Sequence, residues 1–341
     1  MVRAYLAHTR TDEQGRKRIE VEFADADERL LGPEQLEPGE VELDVLWSSL
    51  NYKDALLLAG RPGISRRERI VPGIDVVGRV RRSASARFAE GERVLLNGRG
   101  LGETRDGGLA ERCRVPDDTL LPLPEGMTAR RAAVIGTAGF TAALAVLALV
   151  REVPAQAGEV LVTGAAGGVG SIAVALLADA GYRVVASSGR AETEEAYLRE
   201  LGASRVTGRQ EPGAEPGRPL QSVRWAGVVD VLGSLPLANA IAQTAPFGVV
   251  AACGLAAGAD LPASVMPFIL RGVTLRGINS VEASLDARRE AYGLLGRLDG
   301  RLLDGLSETV ELAEAGALAE PILRGEVRGR VAVRVLDRDP S

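Results

Sequence analysis

The sequence predicts an α/β protein, a doubly wound parallel sheet preceded by a β-rich stretch. Three observations lead there. Past residue 126, short β-branched runs alternate with helix-length apolar periods, the mark of repeated βαβ units. A glycine-rich turn joins one such run to one such period within residues 159–170. Before residue 125 the texture differs, with strand-length runs set between Gly and Pro punctuation.

In chain order, strand patterns occupy residues 40–46, 76–81, 92–97 and 112–115, separated by Pro38-Gly39, Pro62-Gly63 and Pro72-Gly73. Residues 51–59 read as a short helix after the first of these. Residues 132–150 carry no charge and are nearly long enough to span a bilayer. Ala, Gly and Thr make up much of that stretch and contribute little transfer energy, so it reads as a buried helix and no transmembrane segment is expected. Strands follow at 160–163, 183–187, 227–231, 248–253 and 273–277, with helices at 171–180, 192–201, 236–244 and 285–298. This alternation predicts a parallel sheet covered by helices on both faces. Residues 209–218, rich in Gly, Pro and Glu, read as a surface connection, and 329–336 as a last strand. The expected domains are 1–126 and 127–303, with 304–341 returning to the first.

The chain's 341 residues are 46% hydrophobic and 26% charged, an ordinary globular composition. A net charge of −5 with scattered Lys and Arg gives no footprint for nucleic acid. Cys113 and Cys253 lie in apolar contexts with no secretory signal ahead of them, so a reduced, cytoplasmic setting is expected rather than a disulfide scaffold.

The informative segment is EVLVTGAAGGVG, residues 159–170. A buried strand runs into a glycine-rich turn and then a helix, as a dinucleotide fingerprint requires. Gly167 allows the backbone close to a pyrophosphate, Gly170 lets helix and strand pack, and the helix N-terminus offers free N–H groups. Ala165 stands where the first glycine is usual. A purely structural turn is the competing reading. The next strand ends in Ser187-Ser188-Gly189-Arg190, without the acid that would bind a ribose 2′-hydroxyl. A hydroxyl and a guanidinium suit a 2′-phosphate instead, with Arg209 placed to join them, so NADPH is the expected cofactor. Both arginines also read as solvated surface charges.

The β-rich front and Rossmann back resemble the medium-chain dehydrogenase/reductase superfamily, which implies a GroES-like front domain. The superfamily's alcohol dehydrogenases hold a catalytic zinc with Cys, His and a carboxylate. Here the single histidine is His8, the two cysteines are far apart, and Pro72-Gly73-Ile74-Asp75 stands at the usual Gly-His-Glu position. No metal site is expected, and metal-free hydride transfer suits a polarised carbon–carbon double bond better than an alcohol.

The strings WSSLNYKDAL (47–56), VPGIDVVG (71–78), GLGETRDGGLAE (100–111), IGTAGFTA (135–142), AACGLAAG (251–258) and MPFILRGVTLRGINSV (266–281) narrow the resemblance. They resemble the zinc-free, quinone-oxidoreductase-like branch, and within it the NADPH-dependent acryloyl-CoA reductases. The resemblance implies NADPH contacts at Tyr52, at Ala166, Gly167, Gly168 and Val169, at Ser188, Gly189 and Arg190, at Arg209, and at Leu255, Ile269 and Ser280. It also implies a homodimer, with a strand such as 273–277 pairing across a two-fold axis. Near the C-terminus the chain departs from the family, carrying Arg324-Gly325-Glu326 where an Asn-Asn-Gln is common.

For an enoyl thioester, hydride must reach the β-carbon, the enolate oxygen needs donors and the α-carbon needs a proton. Tyr52 is the candidate proton donor, or it shapes the cleft. Asn51 orients cofactor or substrate, or it caps a helix. Lys53 and Asp54 read as an exposed pair. Arg61, Arg66, Arg67 and Arg69 form a basic run that suits CoA phosphates, or a solvated loop. Three functions stand at this point: acryloyl-CoA reductase, a broader quinone or enone reductase, and a cofactor-binding protein without turnover.

Overall fold

The computed structural model describes residues 1–27, 35–211, 213 and 215–336. Positions 212 and 214 of the 209–218 connection, and 337–341 of the returning segment, lie outside it. The chain forms two compact units, residues 1–137 with 303–341, and residues 138–302.

The first unit opens with a hairpin of β1 (Val2–Thr11) and β2 (Lys17–Ala26), which the strand patterns read above do not include. The Asp12 carboxylate accepts the Gln14 and Arg16 amides at 2.9 Å and shapes the turn. Alternation of Ile19, Val21 and Phe23 marks β2, although half-exposure on both faces dilutes it.

The main sheet of this unit uses β3 (Glu40–Leu50), β5 (Asp75–Ser83), β6 (Arg93–Asn97) and β8 (Leu121–Pro122) in that spatial order, and β7 (Arg112–Pro116) also pairs with β3. The short β4 (Arg69–Ile70) joins β1 instead. Register shifts within β3, between Glu42 and Leu43 and between Val45 and Trp47, let this long strand bend. Leu43, Val45, Val76, Leu96 and Cys113 point into one core. Helix α1 (Tyr52–Leu58) follows β3 directly.

Helix α2 (Ala129–Val150) begins earlier than the apolar stretch that predicts it, and it breaks at Gly136, with φ 48° and ψ −161°. The break has a steric cause. A Cβ at Gly136 would lie 2.6 Å from Arg330 Nη2 and from Asp75 Oδ2, and 2.7 Å from Ser49 Oγ. Only glycine permits both that approach and that φ. By length and composition α2 could cross a membrane, but 72% of its most apolar window is buried in the protein.

The second unit holds a six-stranded parallel sheet in the order β11-β10-β9-β12-β13-β14. Its elements in chain order are β9 (Glu159–Val162), α3 (Gly168–Asp179), β10 (Arg183–Ser187), α4 (Ala191–Glu200), β11 (Arg205–Thr207), β12 (Trp225–Asp230), α5 (Ser234–Gln243), β13 (Thr244–Ala252), α6 (Met266–Arg271), β14 (Thr274–Gly277) and α7 (Leu285–Leu295). Leu161, Val185, Trp225, Val228, Ile241 and Val250 fill the core against the sheet. β13 starts before residue 248, where the pattern places it, because a bulge interrupts it. The register jumps from Thr244 to Val249, and Phe247 takes φ 61°. From β9 the chain winds outward to β11, then returns to β12, which opens a crevice at the strands' carboxyl ends.

The chain then adds α8 (Gly300–Gly305), β15 (Ser307–Glu311), α9 (Ala319–Leu323) and β16 (Arg330–Arg334). β16 pairs antiparallel with β3 and places Val331 and Val333 in the first unit's core. The Tyr5 hydroxyl donates to the Ala313 carbonyl at 2.8 Å and accepts the Gly316 amide at 2.9 Å.

Candidate active and cofactor sites

In the second unit the predicted cofactor residues gather at one edge. Parallel strands end on the same side, so Ala166–Val169 after β9, Ser188–Arg190 after β10, Arg209 after β11, Leu255 after β13 and Ser280 after β14 share it. Ile269 is the exception, lying on α6 ahead of β14 and 73% exposed. Gly167 is the N-cap of α3, and no side-chain hydrogen bond caps the helix. Its first-turn amides are therefore available to an anion. A Cβ at Gly170 would strike the Gly164 carbonyl and sit 2.6 Å from Ala165 Cα, both rigid backbone. That contact seats the helix against the turn. The Tyr197 hydroxyl, reaching from α4, donates to Ser171 Oγ at 2.8 Å and locks the helix start.

The two arginines meet at the ends of β10 and β11. The Ser188 amide bonds the Thr207 carbonyl at 2.9 Å, and Ser188 Oγ accepts the Arg190 amide at 3.0 Å. The Arg209 guanidinium lies so close over Gly189 that a Cβ there would collide with it. Arg190 reaches back toward Glu194 at 3.9 Å. Two cations thus stand beside a buried hydroxyl at the strand end, groups whose chemistry suits an anion. Neighbouring Asp230, at the end of β12, is fully buried and accepts Thr163 Oγ1 at 2.7 Å and the Gly233 amide at 2.8 Å. Burial pushes its carboxyl up, against those hydrogen bonds.

In the first unit Tyr52 stands at the start of α1 with 47% of its surface exposed. Asn51 is the N-cap, and its amide donates to the Asp54 carboxylate at 2.9 Å as a capping box. The exposed Lys53–Asp54 pair does not form. Lys53 bonds Glu103, while Asp54 is 2% exposed and also accepts the Ile74 amide at 2.9 Å. Burial, with nearby Asp75 adding to it, pushes the Asp54 carboxyl up to about 7 despite these bonds. Asp75 itself is completely buried. It accepts Ser49 Oγ at 2.6 Å, Asn51 Nδ2 at 2.8 Å, Asn97 Nδ2 at 2.7 Å and Thr137 Oγ1 at 2.7 Å. The basic run is partly neutralised, since Arg61 faces Glu320 at 3.2 Å and Arg67 and Arg69 face Asp106 at 3.4 and 3.8 Å. Arg324 bonds Glu326 at 2.7 and 2.8 Å.

Comparison with known proteins places the chain. The zinc-binding dehydrogenase profile matches residues 168–295, and the alcohol dehydrogenase GroES-like domain matches residues 37–125. A protein of Escherichia coli (strain K12) named "Probable acrylyl-CoA reductase AcuI" is 49% identical over 307 residues, 89% of this chain and 94% of that one. The chain belongs to the medium-chain dehydrogenase/reductase superfamily. The acrylyl-CoA reductase AcuI of Ruegeria pomeroyi is 45% identical over 300 residues, 87% of this chain and 90% of its own. The crystal structure of Escherichia coli K-12 YhdH with bound NADPH superposes with a TM-score of 0.91 at 47% identity, covering 98% of this chain and all of that one.

The superfamily's zinc does not fit the residues present. His8 lies on β1, and among the described residues no three His, Cys, Asp or Glu side chains gather as ligands. Burial pushes the Cys113 and Cys253 thiols up to about 12, so neither is a ready thiolate. The nicotinamide cofactor does fit, because the α3 turn and the Ser188–Arg190–Arg209 pocket supply amides and cations where a dinucleotide's phosphates would lie. Sequence reasoning missed Asp75, Asn97, Arg330 and Asp230. For Asp75 a signal exists: an acid inside the apolar run Val71–Val77 is a buried charge waiting for partners.

Proposed function

We propose that the chain reduces acryloyl-CoA to propanoyl-CoA with NADPH, transferring hydride to the β-carbon and a proton to the α-carbon. The observation that carries this is likeness along nearly the whole length to relatives named acrylyl-CoA reductases. NADPH, when bound, supplies the hydride. The α3 amides of Gly168 and Val169, with Ala166 and Gly167, hold the pyrophosphate, and Ser188, Gly189, Arg190 and Arg209 hold the 2′-phosphate. Leu255, Ile269 and Ser280 line the remaining length of the cofactor. The thioester draws electrons from the alkene, so the β-carbon accepts hydride as the π bond breaks and negative charge moves to the thioester oxygen. Tyr52 then gives its hydroxyl proton toward the α-carbon and is reprotonated from solvent. Residues 1–126 with 304–341 form the GroES-like substrate-holding domain, and 127–303 the cofactor domain. The enzyme is read as cytoplasmic and homodimeric, a second copy covering exposed Phe247, Val265 and Leu270 and the edge of β14, which pairs only with β13 among the described residues.

The test measures NADPH consumption with acryloyl-CoA, free acrylate and a quinone in parallel, with products identified by mass. Acryloyl-CoA is expected to be reduced with far higher kcat/KM than the others. Rapid quinone reduction beside inert acryloyl-CoA would instead establish the broader quinone reductase. Light scattering on the same sample is expected to give twice the chain mass, and a monomer would overturn the dimer.

A further inference from the structure

Asn51 carries the main chain from β3 into α1, and both donors of its side chain are engaged. One amide hydrogen goes to Asp54 Oδ2 at 3.0 Å and the other to Asp75 Oδ2 at 2.8 Å. A primary amide has two N–H donors, so none remains for a substrate. Asp75 in turn is held by four residues from three chain segments, Ser49 with Asn51, Asn97, and Thr137, whose main-chain amide adds bonds of 2.9 and 3.0 Å. A carboxylate with its acceptor sites filled in this way cannot rotate. Arg330, 3% exposed, braces it at 3.8 Å and gives further bonds to the chain just before Asn51 and to α2. It bonds the Leu50 carbonyl at 3.0 Å, Ser49 Oγ at 2.7 Å and the Val134 carbonyl at 2.8 Å. The residue before Asn51, its backbone amide and its side chain are therefore all fixed from buried groups. Tyr52, the next residue, is half-exposed and takes its place from the backbone that carries it.

The geometry points to Asp75, braced by Arg330, as a positioning residue that sets Tyr52 through the side-chain amide of Asn51. This rests on the reading of Tyr52 as a group at the reaction, and it makes Asn51 a positioning residue rather than a donor to substrate. Displacement of a catalytic group by about 1 Å costs up to about 100-fold in rate, so loss of the anchor is expected in kcat.

The test compares Asn51→Ala and Asp75→Asn with Asn97→Ala, which removes a bond to the other oxygen of the same carboxylate, Oδ1 rather than the Oδ2 that Asn51 holds. Asn51→Ala and Asp75→Asn are expected to lower kcat at least about 10-fold while NADPH affinity, read by cofactor fluorescence, holds within about twofold. Asn97→Ala is expected to lower the melting temperature and leave kcat within about twofold. Amide hydrogen exchange across residues 51–58 is expected to quicken in the first two variants and not in the third. If Asp75→Asn does not fold, Asn51→Ala against Asn97→Ala decides. If the unmodified protein reduces no acceptor, the functional reading fails and the exchange pattern alone decides the positioning role. Equal kcat losses in Asn51→Ala and Asn97→Ala, or exchange that is unchanged or rises equally in both, would overturn it.

Discussion

At the carboxyl edge of β9 and β10 the polar groups are main-chain amides and two cations at the surface, whereas around Asp75 they are side chains buried among apolar strands. The first region is local. Residues 159–170 build a strand, turn and helix from one continuous stretch, and small residues let backbone approach backbone. The second is assembled from residues 49, 51, 54, 75, 97, 137 and 330, with no two polar partners closer than two positions in the chain. Amides at a helix start tolerate water and wait for a ligand. Buried carboxylates must be satisfied inside the protein, so each donor lost there is expensive. The difference teaches where substitutions act: on ligand affinity at the edge, on stability and geometry at the cluster.

The largest expected effect is at Arg330. Arg330→Met leaves the Asp75 carboxylate buried without its brace and is expected to cost about 3–5 kcal/mol of stability, read by urea unfolding. A loss under about 1 kcal/mol, the range of exposed ion pairs, would mean that the cluster behaves like a surface one and the contrast is wrong.

At the nucleotide edge the expectation concerns affinity. NADPH is expected to bind much more tightly than NADH, and Arg190→Ala to narrow that gap by about 1.5–3 kcal/mol, the worth of a charged hydrogen bond. Titration calorimetry with both cofactors measures it. Stability is expected to change little, because Arg190 is partly exposed and an exposed ion pair is worth little. Equal affinities in the unmodified protein would break the phosphate assignment.

The last test reads a slope with pH rather than a loss on substitution, and it sharpens the cluster itself. Burial pushes Asp54 up from the ordinary carboxyl value of 3.8 to about 7, so the folded chain keeps this proton where the unfolded chain has lost it. Stability is then highest below the unfolded value and falls as pH rises, at up to about 1.4 kcal/mol per pH unit, until the folded group ionises and the loss stops. Asp54→Asn is expected to flatten the stability profile between about pH 4 and pH 7, the range set by these two values. Unfolding curves across that range check the slope, and an unchanged slope would show that Asp54 is ionised throughout.

The fold was legible because its signals are short-ranged. The βαβ alternation and the 159–170 turn are each contained in neighbouring residues, and the observed sheet is parallel as they predict. The β1–β2 hairpin was harder to read, since β2 lies half-exposed and its alternation is weak. Lys53 and Asp54 show the limit most clearly. Adjacent opposite charges read as a surface pair, yet helical spacing sends one to Glu103 and the other into the interior.

By itself the sequence determined the class of fold and the strand, turn and helix of residues 159–170, because each depends on residue types at fixed short spacings. The tertiary structure alone decided which acids are buried, why α2 breaks at Gly136, and what Asn51 spends its hydrogens on. Those depend on segments more than two hundred residues apart, Ser49 and Arg330 among them, meeting over one carboxylate. Burial is a property of the packed whole, and the energy of a charge depends on the surroundings that packing creates.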